Sequence, residues 1–193
     1  MPGVTSAQPA EPPGLAAGPR VPATDGERRA LASVVRLRIL RMCLYEPLTN
    51  KQIAQRLRRD PASVLHHVRT LVNHGFLQAG DPRSGPRGSR EVPYRATGKS
   101  WRLDYGAPDG GPDPAADPVG DTMLQAFLDE VAQAPRGERS ITRLGLQLTS
   151  EHHTELVDRL EALFREFAAR PADPDGDRWS VFLEVHPDPD GDG

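Results

Sequence analysis

The chain has one cysteine (Cys43), aromatic residues at only 5%, and no apolar run longer than four residues, 42–45. A lone cysteine excludes an internal disulfide and a cysteine-based metal cage. A run that short cannot cross a bilayer, which needs about 20 apolar residues. No basic stretch followed by an apolar core opens the sequence, so no secretory signal is read there. Also missing are a phosphate-binding Gly-Lys loop, HExxH, GxSxG and a plausible cysteine nucleophile, and no enzyme is expected. These absences set the expectation of a soluble cytoplasmic chain without cofactor or catalytic residues.

Glycine (18) and proline (20) are plentiful, and they concentrate in three places. Residues 1–22 hold six prolines, GAPDGGPDPAADPVG (106–120) holds eight Gly or Pro, and the chain closes on PDPDGDG. None shows apolar periodicity, so none can offset its ordering entropy by burial. The expected organisation is a disordered arm (1–24), a compact module (25–105), a linker (106–120), a second compact unit (121–186) and a disordered tail (187–193). Charge divides along the same lines. Residues 28–102 carry sixteen Lys or Arg against four acids, a net of +12, whereas residues 103–193 carry seven against twenty, a net of -13. Twelve excess cations on about 75 residues mark a surface for a polyanion.

In the basic module, ERRALASVVRLRILRMCLY (27–45) has helical apolar spacing, so one helix is expected there, ending before Pro47. A short helix opens at Thr49 or Asn50, with Ile53, Ala54 and Leu57 on its apolar side. Arg58-Arg59 leads to Asp60-Pro61, a cap followed by proline at the first helical position. The third helix, 61–74, buries Val64, Val68, Leu71 and Val72, and Gly75 stops it. Residues 76–79 and 92–96 pair as strands around the loop GDPRSGPRGSRE, a basic hairpin directly after the third helix. Two short helices with a tight turn, the second amphipathic, make a helix-turn-helix, and the hairpin after it reads as a wing.

The "RLRIL" helix, "LTNKQIAQRL", "SVLHHVRTL" and the exit "GFL" resemble the ArsR-type winged-helix repressors of bacterial transcription, over residues 28–102. The resemblance implies a DNA-binding repressor and a homodimer formed by the first helix and helices beyond the wing. The fold class expected is mostly α with small β. The implied partner is double-stranded DNA carrying an inverted-repeat operator, together with a second copy of the chain.

An α-helix fits the major groove, where every base pair shows a distinct pattern. With the third helix's apolar face turned inward, Ala62, Ser63, His66, Arg69, Thr70 and Asn73 are the candidates for reading bases. Thr49, Asn50 and Lys51 at a helix start, with Arg58 and Arg59, are candidates for phosphate. Arg83, Arg87 and Arg90 belong to the wing, and His67, on the Val64–Leu71 face, is assigned a structural or phosphate-contacting role.

In the acidic half, DTMLQAFLDEVAQA places Met123, Leu124, Phe127, Leu128 and Val131 on one face, the expected dimer element. Leu144, Leu146 and Leu148 alternate as in a strand, residues 151–170 form an amphipathic helix, and WSVFLEVH forms a second strand. His152 and His153 would point about 100° apart on a helix, so they and His186 make no metal site. Two alternatives stay open: a winged-helix protein-interaction module, and a regulator answering a small-molecule effector in the C-terminal unit.

Overall fold

A computed structural model describes residues 20–84, 90–105, 118–171, 173 and 175–187. In chain order it contains β1 (Val21–Pro22), α1 (Asp25–Leu31), α2 (Val34–Tyr45), β2 (Leu48–Thr49), α3 (Asn50–Leu57), α4 (Pro61–Asn73), β3 (Leu77–Ala79), β4 (Arg83–Ser84), β5 (Arg90–Glu91), β6 (Pro93–Ala96), β7 (Leu103–Asp104), α5 (Pro118–Gln133) and α6 (Ser150–Ala169). The chain is mostly helical with small sheets. β2, β6 and β3 form one antiparallel sheet, β4 pairs with β5, and β1 runs parallel to β7.

Local chemistry sets most helix ends. Thr24 and Glu27 make a reciprocal capping box at α1, and Thr49 and Gln52 make another at α3. The Asp60 carboxylate accepts from the backbone of Ala62 (2.9 Å) and Ser63 (3.0 Å), with Pro61 at the first position of α4. At the exit of α4, Gly75 takes a positive φ of 73°, which a side chain would resist.

The single helix expected over 27–45 is instead two. The Ser33 amide turns back to the Leu31 carbonyl (2.6 Å), and the Arg36 guanidinium donates to the carbonyls of Arg29 (2.7 Å) and Ala30. The last carbonyls of α1 thus find partners although the helix stops. Leu31, Ile39 and Cys43 become fully buried on either side of the break. They join Leu48, Ile53, Val64, Val68, Leu71 and Phe76 in one core that spans α1 to α4 and the sheet.

Two boundaries move. Residues 20–24, placed in the disordered arm from the sequence, are part of the fold: β1 pairs with β7, and Ala23 is buried. Residues 118–120, placed in the linker, begin α5, and Val119 enters the core between elements of the basic module. A short 3-10 turn, Lys99–Arg102, links β6 to β7. Residues 1–19, most of the linker and the end of the tail lie outside the described residues.

The acidic half departs most from expectation. Helix α6 is present, but no strand forms at 144–148 or 179–186 among the described residues, so the strand–helix–strand unit is not built within one chain. The segments are extended and mostly exposed, because a strand needs a neighbour to receive its backbone groups. Helix α6 has no buried residue. Helix α5 is better covered. Ala126 is buried, Met123 packs on the core, and Phe127 stacks on Phe182 with ring centroids 5.2 Å apart. Of the five residues expected to form the dimer face, four are at least partly covered by their own chain, and Leu128 stands exposed.

Candidate nucleic-acid interface

The turn between α3 and α4 is three residues, 58–60, and its shape is strained at one point. Arg58 closes α3 in the left-handed region with φ of 52° and is the one non-glycine residue with positive φ among the described residues. The Asn50 amide group, near the start of α3, donates to the Pro61 carbonyl (2.9 Å) at the start of α4. These contacts fix the two helices against each other and set the outward face of α4.

That face matches the assignment from periodicity. Val64, Val68 and Leu71 are fully buried, whereas Ala62, Ser63, His66, Arg69 and Asn73 are exposed. Thr70 is half-buried, and its hydroxyl donates to the His66 carbonyl (3.1 Å). Lys51, Arg58 and Arg59 are exposed on α3 and the turn, and Arg83 and Arg90 are exposed on β4 and β5. Arg87 lies outside the described residues.

Two assignments change and a third narrows. Thr49 is buried, with 3% exposure. Its hydroxyl accepts from Gln52 (3.3 Å) and its amide donates to the Gln52 side chain (2.8 Å), so it is a helix cap with no surface left for phosphate. Asn50, half-buried, has its amide group committed to Pro61. Burial holds the His67 imidazole below the usual histidine range, with Arg36, His66 and Arg59 adding positive charge nearby. The uncharged imidazole is favoured, which fits the structural role better than the phosphate-contacting one.

Not every cation of the basic module is available. Arg56 pairs with Glu46 (2.9 Å), Lys99 with Glu27 (2.5 Å) and Arg41 with Glu130 on α5 (3.2 Å). Arg36 is turned onto the end of α1. None of these pairings was visible in the sequence, because partners ten to ninety positions apart leave no periodic trace. By contrast, no hydrogen bond or ion pair engages the side chains of Lys51, Arg58, Arg59, Arg69, Arg83 or Arg90 among the described residues. These six lie on α3, the turn, α4 and the hairpin, while Arg29, Arg38 and Arg102, likewise without a side-chain partner among the described residues, lie on α1, α2 and the 3-10 turn.

A family model described as a helix-turn-helix domain matches residues 31–78. The chain carries a helix-turn-helix domain. The match runs from the end of α1 through α2, α3 and α4 into β3, so it covers the turn and the outward face just described. It points to a DNA-binding transcription regulator. It does not extend over the hairpin or the acidic half. No curated protein matches the chain. Among the described residues, no helix is long and apolar enough to cross a membrane.

Proposed function

We propose that this protein is a sequence-specific transcriptional repressor of the ArsR-like winged kind, which binds an inverted-repeat operator as a homodimer. The observation that carries the reading is the exposed, polar face of α4 opposite its fully buried face, together with six exposed, unpaired cations on α3, the turn, α4 and the hairpin. In this reading α4 enters the major groove. Arg69 offers two parallel donors to the O6 and N7 of a guanine, and His66, Ser63 and Asn73 reach neighbouring edges. Lys51, Arg58 and Arg59 hold phosphates beside the groove. The β4–β5 hairpin acts as the wing, with Arg83 and Arg90 on the flanking backbone. A two-fold dimer requires half-sites about one helical turn apart, roughly 34 Å. Repression follows from occupying the operator and needs no metal, cofactor or catalytic group.

The test is competitive binding of full-length variants to operator and scrambled duplexes at two salt concentrations. Arg69→Ala should lose about 1–3 kcal/mol on the operator and little on scrambled DNA. Arg90→Ala should weaken both duplexes alike, flattening the log–log salt slope by about 0.9 for each phosphate contact removed. Equal losses on both duplexes for Arg69→Ala would remove α4 as the reading element. A wild-type salt slope near zero would remove DNA as the ligand.

A further inference from the structure

The acidic half leaves a large apolar surface bare. Residues 139–149 and 176–187 contain no helix or strand, yet both are patterned as strands. In the second, the pattern is already expressed in space. Phe182 stacks on Phe127 and the Ser180 hydroxyl donates to Glu130 (3.2 Å), so Ser180 and Phe182 face α5. The odd positions, Trp179 (66% exposed), Val181 (70%) and Leu183, face solvent. In the first segment Ile141 (86%), Leu144 (74%) and Leu146 are bare, and Gly145 has open space on its side-chain face. Two segments thus run without a strand neighbour beside exposed apolar side chains, with the Trp179 carbonyl accepting from Arg41 (3.5 Å). Such edges recruit a further strand.

We propose that a second copy of this chain covers these segments, residues 141–148 of one copy pairing with residues 179–185 of the other. The inference rests on the homodimer proposed above and names the segment that closes it. Size argues for it: with the exposed residues of α6, the bare apolar area is on the order of 1,000 Å² per chain. Summed over the three segments, that is close to the roughly 800 Å² each partner contributes to a stable complex. Charge agrees. The first segment carries Arg139 and Arg143 and no acid, whereas α6 carries five acids against two arginines, and the second segment contributes Glu184. Each copy supplies both halves of the pairing, so a two-fold axis satisfies both open edges at once. The demand is for backbone as well as apolar partners, and a copy of the chain brings both in matching length.

The experiment combines sedimentation velocity with amide hydrogen exchange on the full-length protein, across low to high micromolar concentrations. The wild type should be dimeric, and amides of 144–148 and 179–185 should gain protection as concentration rises. The double variant Leu146→Asp, Val181→Asp should raise the dimer dissociation constant by at least about 100-fold, because pairing would bury two uncompensated carboxylates. Both positions are exposed in the single chain, so the variant should keep the wild-type circular-dichroism spectrum, its thermal transition should match that of the wild type only at concentrations where both are monomeric, and it should still bind half-site duplex at low salt. A monomeric wild type, a double variant that stays dimeric, or protection independent of concentration would each overturn the inference. Loss of half-site binding by the wild type would instead overturn the DNA reading, so the two failures are distinct.

Discussion

Replacing Glu27 by Gln should remove a charge interaction while keeping the local geometry. The Glu27 carboxylate accepts from Lys99 (2.5 Å), from the Thr24 amide (2.7 Å) and from the Thr24 hydroxyl (2.8 Å). Lys99 also donates to the His74 carbonyl (2.8 Å), so the pair ties the start of α1 to the end of α4. The hydrogen bond from Lys99, reinforced by those from Thr24, outweighs burial and brings the Glu27 carboxyl from its ordinary 4.5 down to about 2. Such a fall amounts to roughly 3 kcal/mol favouring the charged form in the fold. Lys99 keeps solvent access, so the net loss expected on Glu27→Gln at pH 7 is about 1–2 kcal/mol. Glutamine also completes a capping box, so the helix start survives and the loss reports charge. The sign with pH follows from the depressed value. The stabilisation is fully present above pH 4.5 and is lost as pH falls from there toward 2. At pH 3 about two-fifths should remain. Urea unfolding followed by circular dichroism, on both proteins at pH 7 and pH 3, measures the gap. A gap that is equal at the two pH values would show that charge is not its source. No gap at pH 7 would show that the pair contributes nothing.

Two further outcomes are expected. Burial pushes the Cys43 thiol up to about 12, so alkylation near pH 8 should proceed only as fast as the protein opens, and rapid labelling of the native chain would contradict its place in the core. Arg58→Asn should stabilise the fold by about 0.5–1 kcal/mol, because asparagine tolerates the left-handed conformation better, while weakening DNA binding and flattening the salt slope; a stability loss would show that the Arg58 side chain supports the turn rather than a ligand.

The helix-turn-helix was legible because its signals are local. Thr49, the Asp60-Pro61 pair, Gly75 and the spacing of Val64, Val68 and Leu71 each act within one helix or one turn, and all keep the positions read for them. The outward face of α4 followed from the same periodicity. Thr49 was mis-assigned for a related reason: a cap residue and a phosphate-binding residue look alike in sequence, and burial alone separates them. The strands at 144–148 and 179–186 failed because alternation specifies what a segment can become, not whether a neighbour is present to pair with it.

By itself, then, the sequence determined the basic and acidic division, the caps, the turn and the face that α4 turns outward, all within a span of a few residues. Only the tertiary structure decided that Val21–Pro22 pairs with Leu103–Asp104, that Val119 completes the core, that Arg36 ends α1, and which cations are neutralised. Those outcomes join positions that are distant along the chain or end one helix where periodicity would continue it. Their energy comes from backbone groups and charges meeting in space, which no local pattern encodes.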